Sequence, residues 1–542
     1  MHLLTSGFIA CFCVLVGCAS PQQAPQPGQG ADDPSANAKV GKKSSTPPAL
    51  WPTSARGTQT DDYHGTSVAD PYRWLEDPDS SASRAWITAQ NQATERQLAA
   101  ITARPALRER LETMWRFDRR AAPRRVANKF FQLRQVGLQN QSVLHVADSE
   151  LTEGRVLLDP NALAADGTVA LKDASISPDG RRVAWMTSTS GSDWSEIRVR
   201  DVETGKDTAD HLQWVKFSGI AWAKDGSGFY YSAYDAPAAG QALRAVNAFH
   251  KLYFHPIGGA QGDDLLIRES RAHKDWGFGG DVSDDGRLLI VPIWRGATKK
   301  NALLIGRLPL APAAKHRGKP SKSGARTAPT GGAPTAWVEI DLSFEHAIEV
   351  VGNVGDQIYV QTDIDAERSR IARFDLSKPA LAGWQTVVAE SKSTLTGARI
   401  VGGKLVVQTL IDAHSELLVY DLAGKALGTI PLPTLGTVAQ LSGDSDDDDL
   451  YLSFTSFAWP VSLWKVKMAD LKTTKLWAPT LPFAPEDFVT EQHFAKSKDG
   501  TDVPFFLIRR KDVDKNGERP LWLHAYGGFN IAMTPEFSVE RL

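Results

Sequence analysis

Ser177-Pro178-Asp179-Gly180, followed by the run RRVAWMTS at 181–188, is the stretch on which the fold class of this chain turns. Asp-Gly supplies the positive-φ geometry that a tight hairpin needs, and the aromatic and β-branched run after it reads as a strand. The pattern returns twice. Lys224-Asp225-Gly226 precedes SGFYYSA at 227–233, and Asp284-Asp285-Gly286 precedes RLLIVPIW at 287–294. Later units drop the Asp-Gly but keep paired strands: DQIYVQTDI with RIARFDL, GKLVVQTLI with ELLVYDL, and DLYLSFTS with SLWKVKM. Each pair reads as two inner strands of one antiparallel sheet, the second often closing on Phe374-Asp375-Leu376 or Tyr420-Asp421-Leu422.

About seven such units, at intervals of ~40–65 residues, fill positions 125–479 and fit four-stranded propeller blades. A parallel α/β arrangement fails because no helical pattern separates the strands. A long β-sandwich accounts less well for the regular recurrence. The expected fold is therefore mainly β, a seven-bladed β-propeller.

Composition bounds the function. Of 542 residues 42% are hydrophobic, enough for a buried core, and 61 Lys+Arg balance 63 Asp+Glu. A net charge of -2 argues against a nucleic-acid polycation, and no nucleic-acid partner is expected. The three cysteines, Cys11, Cys13 and Cys18, leave no disulfide framework and no Cys-rich zinc site. The run Asp446–Asp449 lacks the alternating ligands and bidentate Glu of an EF-hand loop and reads as a solvated turn. No metal and no cofactor are expected. Residues 311–336, with five Lys or Arg and no acid, read as an inter-strand loop.

The apolar run GFIACFCVLVGC at 7–18 is too short to cross a bilayer and suits a signal-peptide core. Its end, Leu15-Val16-Gly17-Cys18, resembles the lipobox of bacterial lipoproteins, which implies lipidation at Cys18; an ordinary secretory signal is the alternative. Residues 19–60, rich in Pro, Gln, Ser and Gly, read as a disordered tether. The expectation is an exported bacterial protein, periplasmic or held to a membrane through a lipid anchor at Cys18.

Residues 61–124 read as an ordered, turn-rich segment, DPYRWLED at 70–77, followed by two helices. On the second, Leu107, Leu111, Met114 and Trp115 form an apolar stripe expected to pack in a core. In 480–542 three strands are expected, at Glu491–Lys496, Val503–Arg509 and Pro520–Ala525, the third buried on both faces. It runs into Tyr526-Gly527-Gly528-Phe529-Asn530, where a Gly-Gly pair lets the backbone turn sharply beside a substrate. In α/β-hydrolases the loop after the third strand supplies an oxyanion-hole donor, and here the Tyr526 phenol stands ready for that bond.

DPYRWLED, the helical lead-in, the β units and YGGFNIAMTPEFS at 526–538 together resemble the prolyl oligopeptidase family of serine peptidases, in its proline-specific branch. The resemblance spans nearly all of Asp61–Leu542. It implies a propeller capping an α/β-hydrolase domain, of which 480–542 would be the first strands. It also implies Tyr526 as the oxyanion-hole hydroxyl, Phe529 in the pocket for the proline ring, short proline-containing peptides as substrates, and a monomer. One departure is His524-Ala525, where family members commonly have Tyr-Gly; His524 reads as a packing residue.

An acyl-transfer triad needs a nucleophile elbow, a histidine base and a carboxylate. No Gly-x-Ser-x-Gly occurs, and none of the 12 histidines holds the position the fold assigns to the base. The nucleophile, base and acid are thus expected beyond Leu542, and the chain as written is expected not to hydrolyse peptides. The alternative is a non-catalytic propeller lipoprotein that binds peptides or scaffolds a complex. An unrelated propeller enzyme such as a glycosidase would need paired axial carboxylates, which sequence does not place.

Overall fold

The structure, a computed structural model, describes residues 51–150, 152–242, 245–309, 330–528 and 531–541. The anchor expected at Cys18, the pocket residue Phe529 and residues 310–329 of the basic segment lie outside the described residues. The chain divides into two compact units, one ending at Thr113 and the other running from Met114 to the end.

In the first unit a hairpin, Thr60–Tyr63 with Thr66–Ala69, leads to a short 3-10 turn, Arg73–Glu76. The DPYRWLED motif acts as a knot of ion pairs. Arg73 Nε lies 2.7 Å from Asp70, and its Nη2 reaches Asp61, whose carboxyl is held below its usual range by the bonds from Gln59 and Arg73. The helix Ser81–Ala99 follows, capped by the Ser80 hydroxyl, which accepts from Ser83 N at 3.2 Å. Residues assigned to the tether already have defined partners here: Trp86 Nε1 donates to Ser54 Oγ at 2.8 Å and Trp74 Nε1 to Ala55 O at 3.0 Å. The second helix, Arg104–Trp115, corrects an expectation, because none of its residues is buried. Leu107 and Leu111 are exposed, since no described apolar face covers the stripe.

The second unit is a β-propeller. Its sheets are antiparallel, with strands added in chain order. The expected Asp-Gly hairpins form as read: Gly180, Gly226 and Gly286 all have φ near +70° (71°, 70° and 74°). Ser177 Oγ donates to Asp179 and Ser283 Oγ to Asp285, at 2.6 and 2.7 Å, fixing two of these turns from within. The first strands of neighbouring units approach one another. Ala221–Trp222 lies near Val169–Ile176 and Asp281–Val282, and Ile348–Val354 near Thr394–Val401, as strands around a common axis must.

Six apolar clusters fill the spaces between successive units, each drawing side chains from two facing layers. The strand Gly228–Ala233 is buried at every position, and Phe229, Tyr230 and Tyr231 are among the largest fully buried side chains. Each such residue contributes roughly 1.5–3 kcal/mol by leaving water. Among the described residues no strand pair joins the last sheet to the first; instead Ala122 N donates to Gln440 Oε1 at 3.0 Å, and the rings of Phe130 and Tyr451 are 6.2 Å apart, edge to face.

Two expectations are corrected. Seven separate blades are not found; five sheets of four or five strands stand apart, and a sixth has eight strands. The cause is one antiparallel pair, Val215 with Ala233, which joins the units on either side of residues 216–220. The opening of a hydrolase domain is not formed either. Phe488–Lys496 and Asp502–Arg510 make a two-stranded hairpin, but residues 520–525 form no strand. Leu521, Trp522 and Leu523 are instead 76%, 67% and 85% exposed, because no described strand offers them a partner or a second face.

Candidate functional site

The end of the segment singled out in the sequence, Pro535–Phe537, lies against the propeller end at which the first strand of the last sheet begins. Thr437 opens the first strand of the last sheet, Thr437–Ser442, and its hydroxyl donates to Pro535 O at 2.7 Å. At the same end Thr455 Oγ1 accepts from Phe537 N at 3.3 Å. Pro535 is buried, and the Phe537 ring packs between Phe117 and Phe483, at 5.7 and 6.2 Å. The TPEFS motif is therefore a docking element whose proline and phenylalanine fill sites on the blade ends.

The hairpin reaches the same end. Phe506 meets Phe457 at 5.3 Å, and Gln492 Nε2 donates to Asp412 O. Glu491 gathers Arg509 at 2.9 Å, His493 at 3.1 Å and Lys515, and those bonds, from Lys515 above all, hold its carboxyl down at about 2.

Tyr526 is half exposed and sits at the head of a sharp turn. Gly527 has φ +67°, a left-handed conformation that a side chain rarely adopts, and the Tyr526 ring leans over Gly528. Ile531 N closes the turn on Gly528 O at 3.1 Å. His524 is exposed rather than packed in a core; its ring touches only the edge of Trp522, at 6.1 Å, because 520–525 has no sheet to bury it. Among the described residues no hydrogen-bonded histidine also meets a serine hydroxyl. His211 pairs with Glu196, His250 with Lys216 O, and His493 with Glu491.

A second group at the same end was not singled out in the sequence. Lys216 Nζ lies 5.0 Å from the Trp194 ring centre and 5.3 Å from that of Phe217, with Asp193 at 3.4 Å. Trp194 meets Trp214 edge-on at 5.5 Å, and its Nε1 donates to Ala242 O at 2.7 Å. Trp214 and Phe217 hold φ of +60° and +52°, costly for aromatic residues, and Phe217 is 54% exposed. The signal available in sequence was only a crowding of aromatics around QWVKFS at 213–218.

A small cavity lies elsewhere, at the seam between first and last sheets. It holds about 100 Å³, and Arg120 stacks over Trp477 at its wall, 4.9 Å from the ring centre. It is too small for a peptide. No helix among the described residues is long and apolar enough to cross a membrane, and no cluster of metal-binding side chains occurs among them.

Residues 52–479 match the family model for the prolyl oligopeptidase N-terminal beta-propeller domain. A prolyl endopeptidase of Elizabethkingia meningoseptica is 34% identical over 492 residues, covering 90% of this chain and 66% of its own. A prolyl oligopeptidase of Omphalotus olearius is 31% identical over 530 residues, covering 92% and 68%. Among solved structures, prolyl oligopeptidase B of Galerina marginata, bound to a 35mer hydrolysis and macrocyclization substrate, superimposes with a TM-score of 0.77 at 25% identity over 91% of this chain and 69% of that one. A structure from a mechanistic study of two prolyl endopeptidases gives 0.66 at 33% identity, over 91% and 68%. The chain spans 66% of the length of the Elizabethkingia relative. With its radial sheets, its blade-end docking motif and these relatives, the chain belongs to the prolyl oligopeptidase family and carries that family's N-terminal β-propeller domain.

Proposed function

We propose that this chain is the N-terminal part of a serine-type prolyl oligopeptidase that acts on short peptides after proline, with Tyr526 as the oxyanion-hole hydroxyl and Phe529 in the proline pocket. The observation that supports the reading is the seating of Pro535 and Phe537 at the propeller end that also bears Phe217, nine and eleven residues after Tyr526 in the chain. A half-exposed phenol just before a left-handed glycine suits a donor aimed at a developing oxyanion, an interaction worth about 2.7–4 kcal/mol per donor in acyl transfer. The exposed Phe217 ring beside Lys216 suits an apolar side chain or carboxylate of a bound peptide. The unit count expected from sequence fits this reading if the eight-stranded sheet is taken as two blades, since the cluster around Ala184, Leu212, Phe229 and Tyr231 packs its halves face to face.

On this reading the described residues bind and orient peptide but do not cleave it, because a lone oxyanion donor without nucleophile or base gives little rate. Two measurements on the purified chain test this. A proline-containing octapeptide should bind in calorimetric titration, and a fluorophosphonate probe should label no serine. Absence of binding removes the peptide reading; labelling, or release of a fluorophore attached after proline, removes the non-cleaving one.

We also propose export and anchoring as a monomeric lipoprotein through Cys18, supported by the apolar run and its Leu-Val-Gly-Cys end. Intact mass of the chain from a bacterial membrane fraction should show a diacylglyceryl adduct on a chain beginning at Cys18. A chain that retains Met1, or starts at another residue without lipid, would rule this out.

A further inference from the structure

One buried titratable group lies outside every role assigned above. His255 sits on the strand Lys251–Pro256, and its side chain is 0% exposed. Its Nδ1 is 2.7 Å from Asp264 Oδ1 and its Nε2 3.0 Å from Asp210 Oδ1. The two carboxylates are 1% and 0% exposed. An ionised carboxylate only accepts, so both ring nitrogens donate, and only the imidazolium has two N–H donors. The remaining oxygens are occupied as well. Asp210 accepts from the Thr208 hydroxyl and from Gly258 N, and Asp264 from the Tyr231 hydroxyl at 2.7 Å.

The cluster bridges the junction that makes the eight-stranded sheet. Asp210 belongs to Asp207–Val215, the last strand of the unit before the junction; His255 and Asp264 belong to the unit after it. Strand pairing between the two units is confined to Val215 with Ala233. Beyond the cluster, a reciprocal pair reinforces it nearby: Gln213 N donates to Gln261 Oε1 at 3.0 Å, and Gln261 Nε2 to Gln213 O at 2.9 Å. Tyr234 N also donates to Trp214 O at 3.2 Å and Trp222 Nε1 to Ser175 O at 3.0 Å.

We propose that Asp210, His255 and Asp264 form a protonation-dependent latch that holds the two four-strand units in one sheet, closed while His255 is an imidazolium and released when it loses its proton.

Burial by itself opposes charge on His255, but the hydrogen bonds to Asp210 and Asp264 outweigh it and lift the imidazole to about 9. Burial likewise opposes charge on Asp210, yet His255, Thr208 and Gly258 hold it down at about 2. The other groups facing the imidazole do not change charge in between. Phe229 packs on the ring at 5.3 Å. Burial pushes the Tyr231 phenol up, and the same holds for Tyr253 stacked on it at 5.7 Å. An imidazole free in the unfolded chain titrates near 6.5, and here the folded value is raised. The latch therefore contributes fully below about 6.5 and loses its contribution as pH climbs through about 9. Once the proton leaves, one buried carboxylate faces a lone pair, and the seam loses its strongest bond.

Hydrogen exchange by mass spectrometry on the full chain, from pH 6.5 to 10.5 and corrected for intrinsic rates, tests this directly. Peptides covering 207–215 and 251–268 should lose protection at least tenfold as pH passes about 9, while 404–420 stays protected. In His255→Gln, whose uncharged amide can donate to only one of the two carboxylates, the same peptides should start less protected and stay flat with pH. Asp264→Asn, removing one carboxylate, should move the wild-type midpoint downward. The proposal falls if wild-type protection holds to pH 10.5, if 404–420 opens together with the seam, or if His255→Gln keeps the wild-type pH dependence. The wild-type series decides the matter even where a variant does not fold.

Discussion

Lys465 Nζ lies 2.7 Å from Glu150 Oε1, and these residues come from the last and the first sheets of the ring. Both are largely shielded, with side chains 24% and 17% exposed, and Lys465 also stands 3.8 Å from Asp449. Burial works against the Glu150 charge, yet the bond from Lys465 keeps its carboxyl below the usual range. Because no strand pairing crosses this seam, side-chain pairs such as this one hold the ring shut.

Removing one partner leaves the other charge shielded and alone, which is costlier than removing both. Lys465→Met is therefore predicted to destabilise the propeller by about 1–3 kcal/mol in urea unfolding, and Lys465→Met with Glu150→Gln to recover part of that loss. A double variant as unstable as the sum of the singles would show that the pair is not coupled.

The strand Gly228–Ala233 tests packing at the opposite extreme. A Cβ on Gly228 would stand 2.2 Å from the His255 carbonyl oxygen and 2.6 Å from Phe254 Cζ, and the carbonyl cannot move without breaking the strand pair. Gly228→Ala should cost about 1–3 kcal/mol. Gly262, whose Cβ would meet nothing within 4 Å, is the control: Gly262→Ala should stay within about 0.5 kcal/mol of the parent. Equal stabilities for the two variants would contradict the packing described here.

Some of these features are legible in the sequence and others are not. The hairpins at Gly180, Gly226 and Gly286 were readable because a positive φ is a local demand that Asp-Gly announces locally. The radial architecture followed from their recurrence. The fusion of two units was not readable, since it rests on a single pair of residues, Val215 and Ala233, in strands of ordinary composition. PLWLHA illustrates the converse limit. Its apolar run encodes a strand only where neighbours exist to pair with it, and among the described residues none does. At the candidate site, Tyr526 and its glycines announced themselves, whereas Lys216 and Trp194 became neighbours only through the fold. The Asp210–His255–Asp264 cluster was equally silent, because Asp210 stands 45 residues from His255 in sequence amid unremarkable strand residues.

Phe217 offers the most direct check on peptide recognition. Its ring is half exposed and is held outward by a left-handed backbone, so its truncation should leave the core untouched. Phe217→Ala is predicted to weaken binding of a proline-containing octapeptide about tenfold, equivalent to ~1.4 kcal/mol, with no loss of thermal stability. Unchanged affinity in calorimetry would remove this ring from the binding surface.

Acid should act first on the hairpin Phe488–Lys496 and Asp502–Arg510. Glu491 accepts from Arg509 across it at Oε1 and from Lys515 at Oε2, where His493 also lies, and these bonds keep its carboxyl at about 2. A carboxylate depressed in the folded state contributes above its unfolded value, near 4.3, and loses that contribution as pH falls toward the folded one. The contacts at stake are few, since the hairpin has only two strands and leaves Phe494 and Phe505 about half exposed. Between pH 5 and 3, amide protection over 488–510 should therefore fall before that of 449–467, which is buried within the last sheet. Glu491→Gln should reproduce the low-pH pattern at pH 7. If that variant keeps full protection in the hairpin, Glu491 is not what ties its strands and the following loop together, and the acid sensitivity must arise from other carboxylates.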